Sequence, residues 1–187
     1  MPRFNDDDEL EPEEGEWEGE ELEEDEDAEL EDEDLEEEDG AAPLYDDEVS
    51  SELQELIDEA EDLAEQGELK KSLRLWRRNM DRYSDEPIAY YHLALATFRL
   101  LNEELMTSGT WDSTAELAVL HEEAITALDE CLAMNKKFVA AWNLLGALHM
   151  MREEYKDAVK AWEASLELDE DQDEVRSDLE EARKYIR

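Results

Sequence analysis

The sequence predicts an all-α protein built as a stack of helix pairs, preceded by an acidic tail. Three observations carry that expectation. From residue 49 onward, apolar residues recur at three and four, the period of a helix buried on one face. Turn formers interrupt that pattern near Gly67, Pro87, Gly109 and residues 152–154. The paired segments also align with one another at a fixed spacing, which a solitary amphipathic hairpin would have no reason to show.

Charge separates two kinds of material. The 187 residues carry a formal charge of −43. Residues 1–48 hold 28 acidic side chains against Arg3 alone, a net of −27, and residues 49–187 hold the other 32 acids with 16 bases. The first segment has few apolar residues (Phe4, Leu10, Trp17, Leu22, Leu30, Leu35, Leu44 and Tyr45). Like charges repel, and so little apolar surface does not offset the entropy of ordering, so residues 1–48 are expected to be a disordered acidic tail. As a flexible coil it would span roughly 35–40 Å, more with self-repulsion. Three roles compete for it: a solubilising arm, a shield or nucleic-acid mimic for a basic client protein, or a carrier of docking anchors at Trp17, Leu22, Leu30 and Leu35. A calcium loop is excluded, because Leu35 stands where the first ligand before Gly40 belongs.

Composition narrows the rest. Cys131 is the one cysteine, so no intrachain disulfide forms. No stretch approaches the roughly 18 apolar residues of a membrane span, and MPRFNDDDEL lacks the apolar core of a secretory signal. The expected location is cytoplasmic. The acidic balance disfavours direct binding to nucleic acid or anionic lipid.

The helices follow in order. Ser51 with Gln54 predicts a capping box opening a helix whose stripe is Leu53, Leu56, Ile57, Ala60, Leu63 and Ala64. Gly67 ends it. A second helix spans about 69–83, with Leu69, Ser72, Leu73, Trp76 and Met80 on one side, and Pro87 starts the third. The third reaches about Leu101 or a little beyond, carrying Tyr90, Leu93, Ala94, Thr97 and Leu101. Ser113 with Glu116 forms another capping box, and the fourth helix runs to about Met134 with Leu117, Leu120, Ala124, Leu128 and Cys131 inward. The fifth and sixth fill 139–172 and break near Arg152 to Glu154, with Trp142, Leu145 and Leu148, then Val159, Trp162 and Leu166, facing in. A last helix, about 173–186, shows Val175, Leu179, Ala182 and Ile186.

Gly67-x-Leu69-x-x-Ser72-x-x-x-Trp76 aligns with Glu153-x-Tyr155-x-x-Ala158-x-x-x-Trp162, and His121-x-x-Ala124-x-x-x-Leu128 repeats the pattern. Units then fall at 53–86, 87–138 and 139–172. The first and third are 34 residues long; the second is 52, which is 34 plus an 18-residue insertion between its helices. The insertion is expected to make a protruding hairpin tipped by Gly109 and Trp111.

A 34-residue helix-turn-helix period with Trp142, Leu145, Gly146, Tyr155, Ala158 and Trp162 at these places resembles the tetratricopeptide repeat. The third unit departs from the family in His149, where Tyr is common, and Glu170, where Pro is common; Ala60 and Ala94 replace Gly, and Ser72 replaces Ala. The resemblance covers 53–172, with 173–187 as the cap helix such arrays require. It implies a right-handed α-solenoid of three helix-turn-helix repeats whose first helices line a concave groove for a peptide or helix of another protein.

Carried onto this chain, the groove positions are Gln54, Ile57, Glu61, Ala64 and Glu65; Ile88, Tyr91, Leu95, Phe98 and Arg99; and Ala140, Asn143, Ala147, Met150 and Met151. Tyr91, Leu95, Phe98, Arg99, Asn143, Ala147, Met150 and Met151 are the candidate partner contacts, because the apolar ones lie off the packing stripes. One family subtype clamps a chaperone's terminal carboxylates with Lys, Arg and Asn; here only Arg99 and Asn143 would serve, opposed by Glu61 and Glu65. A basic stripe, Lys70, Arg74, Arg78 and Arg82 with Lys71 and Arg77 beside it, pairs with Glu65, Glu68 and Glu86 or docks the acidic tail. His92, His121 and His149 occupy non-matching positions, and no phosphate loop, nucleophile motif or metal spacing appears. The expected function is a non-catalytic adaptor or assembly chaperone with no cofactor and no metal. An acidic shield is the alternative.

Overall fold

The computed structural model of the protein describes residues 49–108 and 115–186. Seven α-helices occupy them: α1 Ser51–Glu65, α2 Leu69–Asn79, α3 Pro87–Ser108, α4 Ala115–Met134, α5 Val139–Met151, α6 Tyr155–Leu168 and α7 Asp173–Arg183. A single 3-10 turn, Met80–Arg82, extends α2. Successive helices pack in pairs, α1 on α2, α3 on α4 and α5 on α6, and each pair touches the next. This is the α-solenoid of helix pairs closed by α7. The disorder expected of residues 1–48, the hairpin tip at Gly109 and Trp111, and the Ser113 cap all lie outside the described residues.

Local sequence explains the boundaries. Ser50, not Ser51, caps α1: its hydroxyl accepts from the Leu53 amide at 3.3 Å. Gln54 turns forward to Asp58 at 2.8 Å instead of back to a cap. Starting the helix one residue earlier leaves Leu53 fully buried. Gly67 ends the pair's first half with φ 76°, and Glu153 takes φ 60° at the matching place. The third helix continues a full seven residues beyond Leu101, since nothing before Ser108 breaks it. α7 stops at Arg183, short of Ile186.

Small residues set the spacing within pairs. A Cβ on Gly146 would stand 2.6 Å from Cδ1 and Cε2 of Trp162 and closer still to Nε1, so only glycine lets α5 approach α6 there. Ala60 and Ala94 are buried at the corresponding positions, and Ala124 and Ala158 are buried on the second helices of their pairs. Ser72 is buried as well, and its hydroxyl donates to the Ala60 carbonyl at 2.8 Å, so the polar substitute carries its own partner. Trp76, Leu128 and Trp162 are all buried, Trp76 stacked on His92 of the next pair and Trp162 set against Gly146 of its own. Trp142 was expected inward but is only half-buried; its indole donates to the Lys136 carbonyl at 2.9 Å.

The core is not one body. A large cluster runs from Leu53 through Leu148 and Ala161. A smaller one gathers Ala158, Trp162, Val175, Leu179 and Ala182, joining α6 to α7.

Candidate functional site

The first helices of successive pairs touch one another, α1 on α3 and α3 on α5. Their outer faces therefore adjoin. α1 brings Gln54, Glu61 and Glu65, all exposed, with Ala64 half-buried. α3 brings Tyr91, Leu95, Phe98 and Arg99, all half-buried, the first three against the main core. α5 brings half-buried Ala140 and Ala147. Two expected groove residues belong elsewhere: Ile57 and Ile88 are 5% and 6% exposed and serve the core. A β-branched side chain beside buried Leu53 and Ala89 has no open face left.

Tyr91 organises the centre. Its ring lies 5.1 Å from that of Phe138, which is buried ahead of α5, and meets His92 edge-on at 5.3 Å. Burial raises the Tyr91 hydroxyl pKa above its ordinary value. His92 stacks on Trp76 at 5.4 Å, and burial with the nearby Arg99 charge pushes its pKa down to about 4. His92 is thus a neutral packing ring. His121 is buried too, its Nε2 2.9 Å from the Leu148 carbonyl, which ties α4 to α5. His149 bonds Glu154 at 2.7 Å across the α5–α6 turn.

The α5 end is partly closed. Asn143 donates through Nδ2 to Gln172 Oε1 at 2.6 Å, while its Oδ1 is enclosed with no partner among the described residues. Gln172 is itself anchored, donating to Ser165 Oγ at 3.0 Å and to the Asp169 carbonyl at 2.9 Å. Met150 packs against the α6–α7 cluster, and Met151 against the main core. Asn143 and Met150 therefore join the α7 region to α5, a role their sequence neighbourhood did not reveal. Gln172, 29 residues away, was the missing half.

The basic stripe is mostly spoken for. Lys70 pairs with Glu104 at 2.8 Å, Lys71 with Glu68 at 2.6 Å, Arg77 Nε with Glu123 at 2.7 Å, and Arg82 with Glu52. Of the partners expected for it, only Glu68 is among them; the others come from α3, α4 and α1, because α2 presents these side chains to its packed neighbours. Lys71, Arg74, Arg77 and Arg78 line one surface cleft of about 760 Å³, facing Glu59 and Leu63 of α1.

Cys131 is fully buried under α3, and burial raises its thiol pKa to about 12. Among the described residues no group of three or more His, Cys, Asp or Glu could hold a metal ion. None of their helices is long and apolar enough to cross a membrane.

Residues 139–172 match the model of the tetratricopeptide repeat. No curated protein matches the chain. Among solved structures, the first such domain of Spaghetti (RPAP3), bound to the HSP90 peptide SRMEEVD, is 20% identical with TM-score 0.58, covering 73% of this chain and 94% of that one. The domain of Sgt2 from Aspergillus fumigatus is 20% identical with TM-score 0.57, covering 72% and 79%. The TPR2B domain of yeast Sti1, in a pHsp70 complex, is 15% identical with TM-score 0.58, covering 73% and 100%. At these identities the likeness is one of fold. Residues 139–172 are thus similar to the tetratricopeptide repeat, and the described residues share the fold of tetratricopeptide-repeat domains.

Proposed function

We propose that this chain is a non-catalytic adaptor that binds a peptide or helix of another protein along the adjoining faces of α1, α3 and α5. The observation that carries the reading is the half-covered apolar surface of Tyr91, Leu95 and Phe98 on α3, with Ala147 and Met151 likewise half-buried on α5, which α3 touches. These groups rest on a finished core yet keep part of their surface in water, which a partner would remove. Similar structures that hold HSP90 and pHsp70 peptides support the mode of binding. They do not supply the ligand. Asn143 spends its amide on Gln172, and Glu61 and Glu65 add negative charge at the α1 end, so a terminal carboxylate finds a poor clamp here. The favoured ligand is an amphipathic segment with apolar anchors and a basic flank toward α1.

The test places a photoreactive group in the full chain as Phe98→benzoylphenylalanine. The expected outcome is crosslinking to one segment of one protein, and that segment, made as a peptide, competes with the capture. Crosslinks confined to the chain itself would sink the reading. The density of carboxylates in residues 1–48 supports a second reading, an acidic shield for a basic client. Deleting residues 1–48 separates the two: an adaptor keeps its partner and a shield loses it.

A further inference from the structure

We propose that the cleft between α1 and α2 is a second docking site, one that takes an acidic segment of another protein with an apolar residue among its carboxylates. Its first support is an imbalance of pairing. The cleft is lined by Lys71, Arg74, Arg77 and Arg78, with Glu59 as the one acidic side chain. Lys71 is already matched by Glu68 at 2.6 Å and Arg77 by Glu123 at 2.7 Å. Arg74 and Arg78 have no carboxylate among the described residues; Arg74 reaches only the Lys70 carbonyl, at 3.0 Å. Both are exposed, and they stand four apart on one face of α2. Two guanidinium groups are thus left over in a protein with 60 acids and 17 bases.

The second support is the shape and lining of the cleft. Its volume is about 760 Å³, room for several side chains rather than for one small ion. Leu63 and Leu75 give it an apolar floor, and Leu63 is only half-buried. Each guanidinium offers a planar fork that fits a carboxylate with two parallel hydrogen bonds. Exposed ion pairs alone hold weakly, so an apolar side chain laid against Leu63 is needed beside them. Nucleic acid suits the cleft less well. It brings a charge about every 1.7 Å, while the spare cations number two and residues 49–187 as a whole hold 32 acids against 16 bases. A short acidic segment meets the two arginines and little else. The site is independent of the groove reading. Glu59 and Leu63 lie two residues from Glu61 and Glu65, a turn of about 200° around α1, so the cleft and the proposed groove use opposite sides of that helix. The two can be filled at once, the cleft by an acidic partner.

The test uses the full chain, isotope-labelled for NMR, and a blocked synthetic peptide in which a leucine is flanked by a glutamate pair on each side, beside the same peptide with glutamine for glutamate. The glutamate peptide is expected to shift the Nε–H resonances of Arg74 and Arg78 saturably and to leave those of Arg176 and Arg183 in place. The glutamine peptide should shift neither pair. The affinity should fall as salt shortens the screening length from about 10 Å at 0.1 M to about 3 Å at 1 M. Arg74→Gln with Arg78→Gln, read on the Lys71 and Leu75 amides, should weaken binding about tenfold without moving the α3–α4 amides. Glu59→Gln should tighten it about two- to threefold, a gain that a loosened fold would not give. No response at Arg74 and Arg78, an equal response to the glutamine peptide, or binding unchanged in the double variant overturns the proposal. So does a tighter saturable response to a short DNA duplex, which assigns the cleft to phosphates. Arg74 and Arg78 resonances that move on dilution of the free chain also overturn it, since they assign the cleft to a second copy.

Discussion

Gly67 and Glu153 hold the same place in their repeats, and both backbones are left-handed there, at φ 76° and 60°. A side chain at such an angle costs roughly 1–2 kcal/mol, because Cβ crowds the following carbonyl. Nothing lies within 4 Å of a Cβ added to Gly67, so its cost would come from the backbone alone. Gly67→Ala is therefore expected to destabilise the domain by about 1 kcal/mol. Glu153→Gly is expected to stabilise it by up to about 1 kcal/mol, part of the relief being lost to the freer unfolded chain. Urea midpoints at constant slope measure both; opposite signs are required. The alignment that made these positions equivalent was legible in sequence. That a glutamate would accept the glycine conformation was not, because the turn is held by the Glu154 amide on the His149 carbonyl, at 2.9 Å, and by the His149 ring on the Glu154 carboxylate, bonds that only the folded pair defines.

His92 shows what the joins between elements depend on. Its ring stacks on Trp76 and links α2 to α3, and its folded pKa is pushed down to about 4 by burial and by Arg99. The unfolded imidazole titrates near 6.5, so between about 6.5 and 4 the unfolded state binds the extra proton. This contribution is fully present above pH 6.5 and is lost as pH falls toward 4, on the order of 3 kcal/mol in all. His92→Phe keeps the stacking and removes the proton. Its stability relative to the parent should rise steadily from pH 6.5 to pH 4; parallel profiles would show that His92 does not couple to folding. The same scale shows where sequence reading ran out. Helix stripes and breaks were legible because periodicity is local. The pairings of Lys70 with Glu104, Arg77 with Glu123 and Asn143 with Gln172 were not, because each spans helices whose facing residues only the packed stack defines. Ile57 and Ile88 were assigned to the groove for the same reason: a helix position alone does not say how deep its neighbours bury it.

Across the domain, a stack in which each pair leans on its neighbours distributes stability unevenly. The α3–α4 pair is the longest, 22 and 20 residues, and sits between packed neighbours on both sides. The C-terminal end rests on the small cluster of Ala158, Trp162, Val175, Leu179 and Ala182. Asn143 and Met150 reach into that end, so loosening it would also reshape the α5 side of the proposed groove. Leu179 is 5% exposed, and Leu179→Ala should cost about 2–4 kcal/mol in lost burial and cavity. In a uniformly cooperative domain that loss would speed amide exchange everywhere by one factor. In this stack it should speed exchange mainly in α6 and α7, leaving the slowest amides of α3 and α4 nearly unchanged under native conditions. Native-state hydrogen exchange distinguishes the two. An equal acceleration in α4 and α7 would mean that the small cluster is energetically continuous with the large one, and that the groove cannot open from its C-terminal end alone.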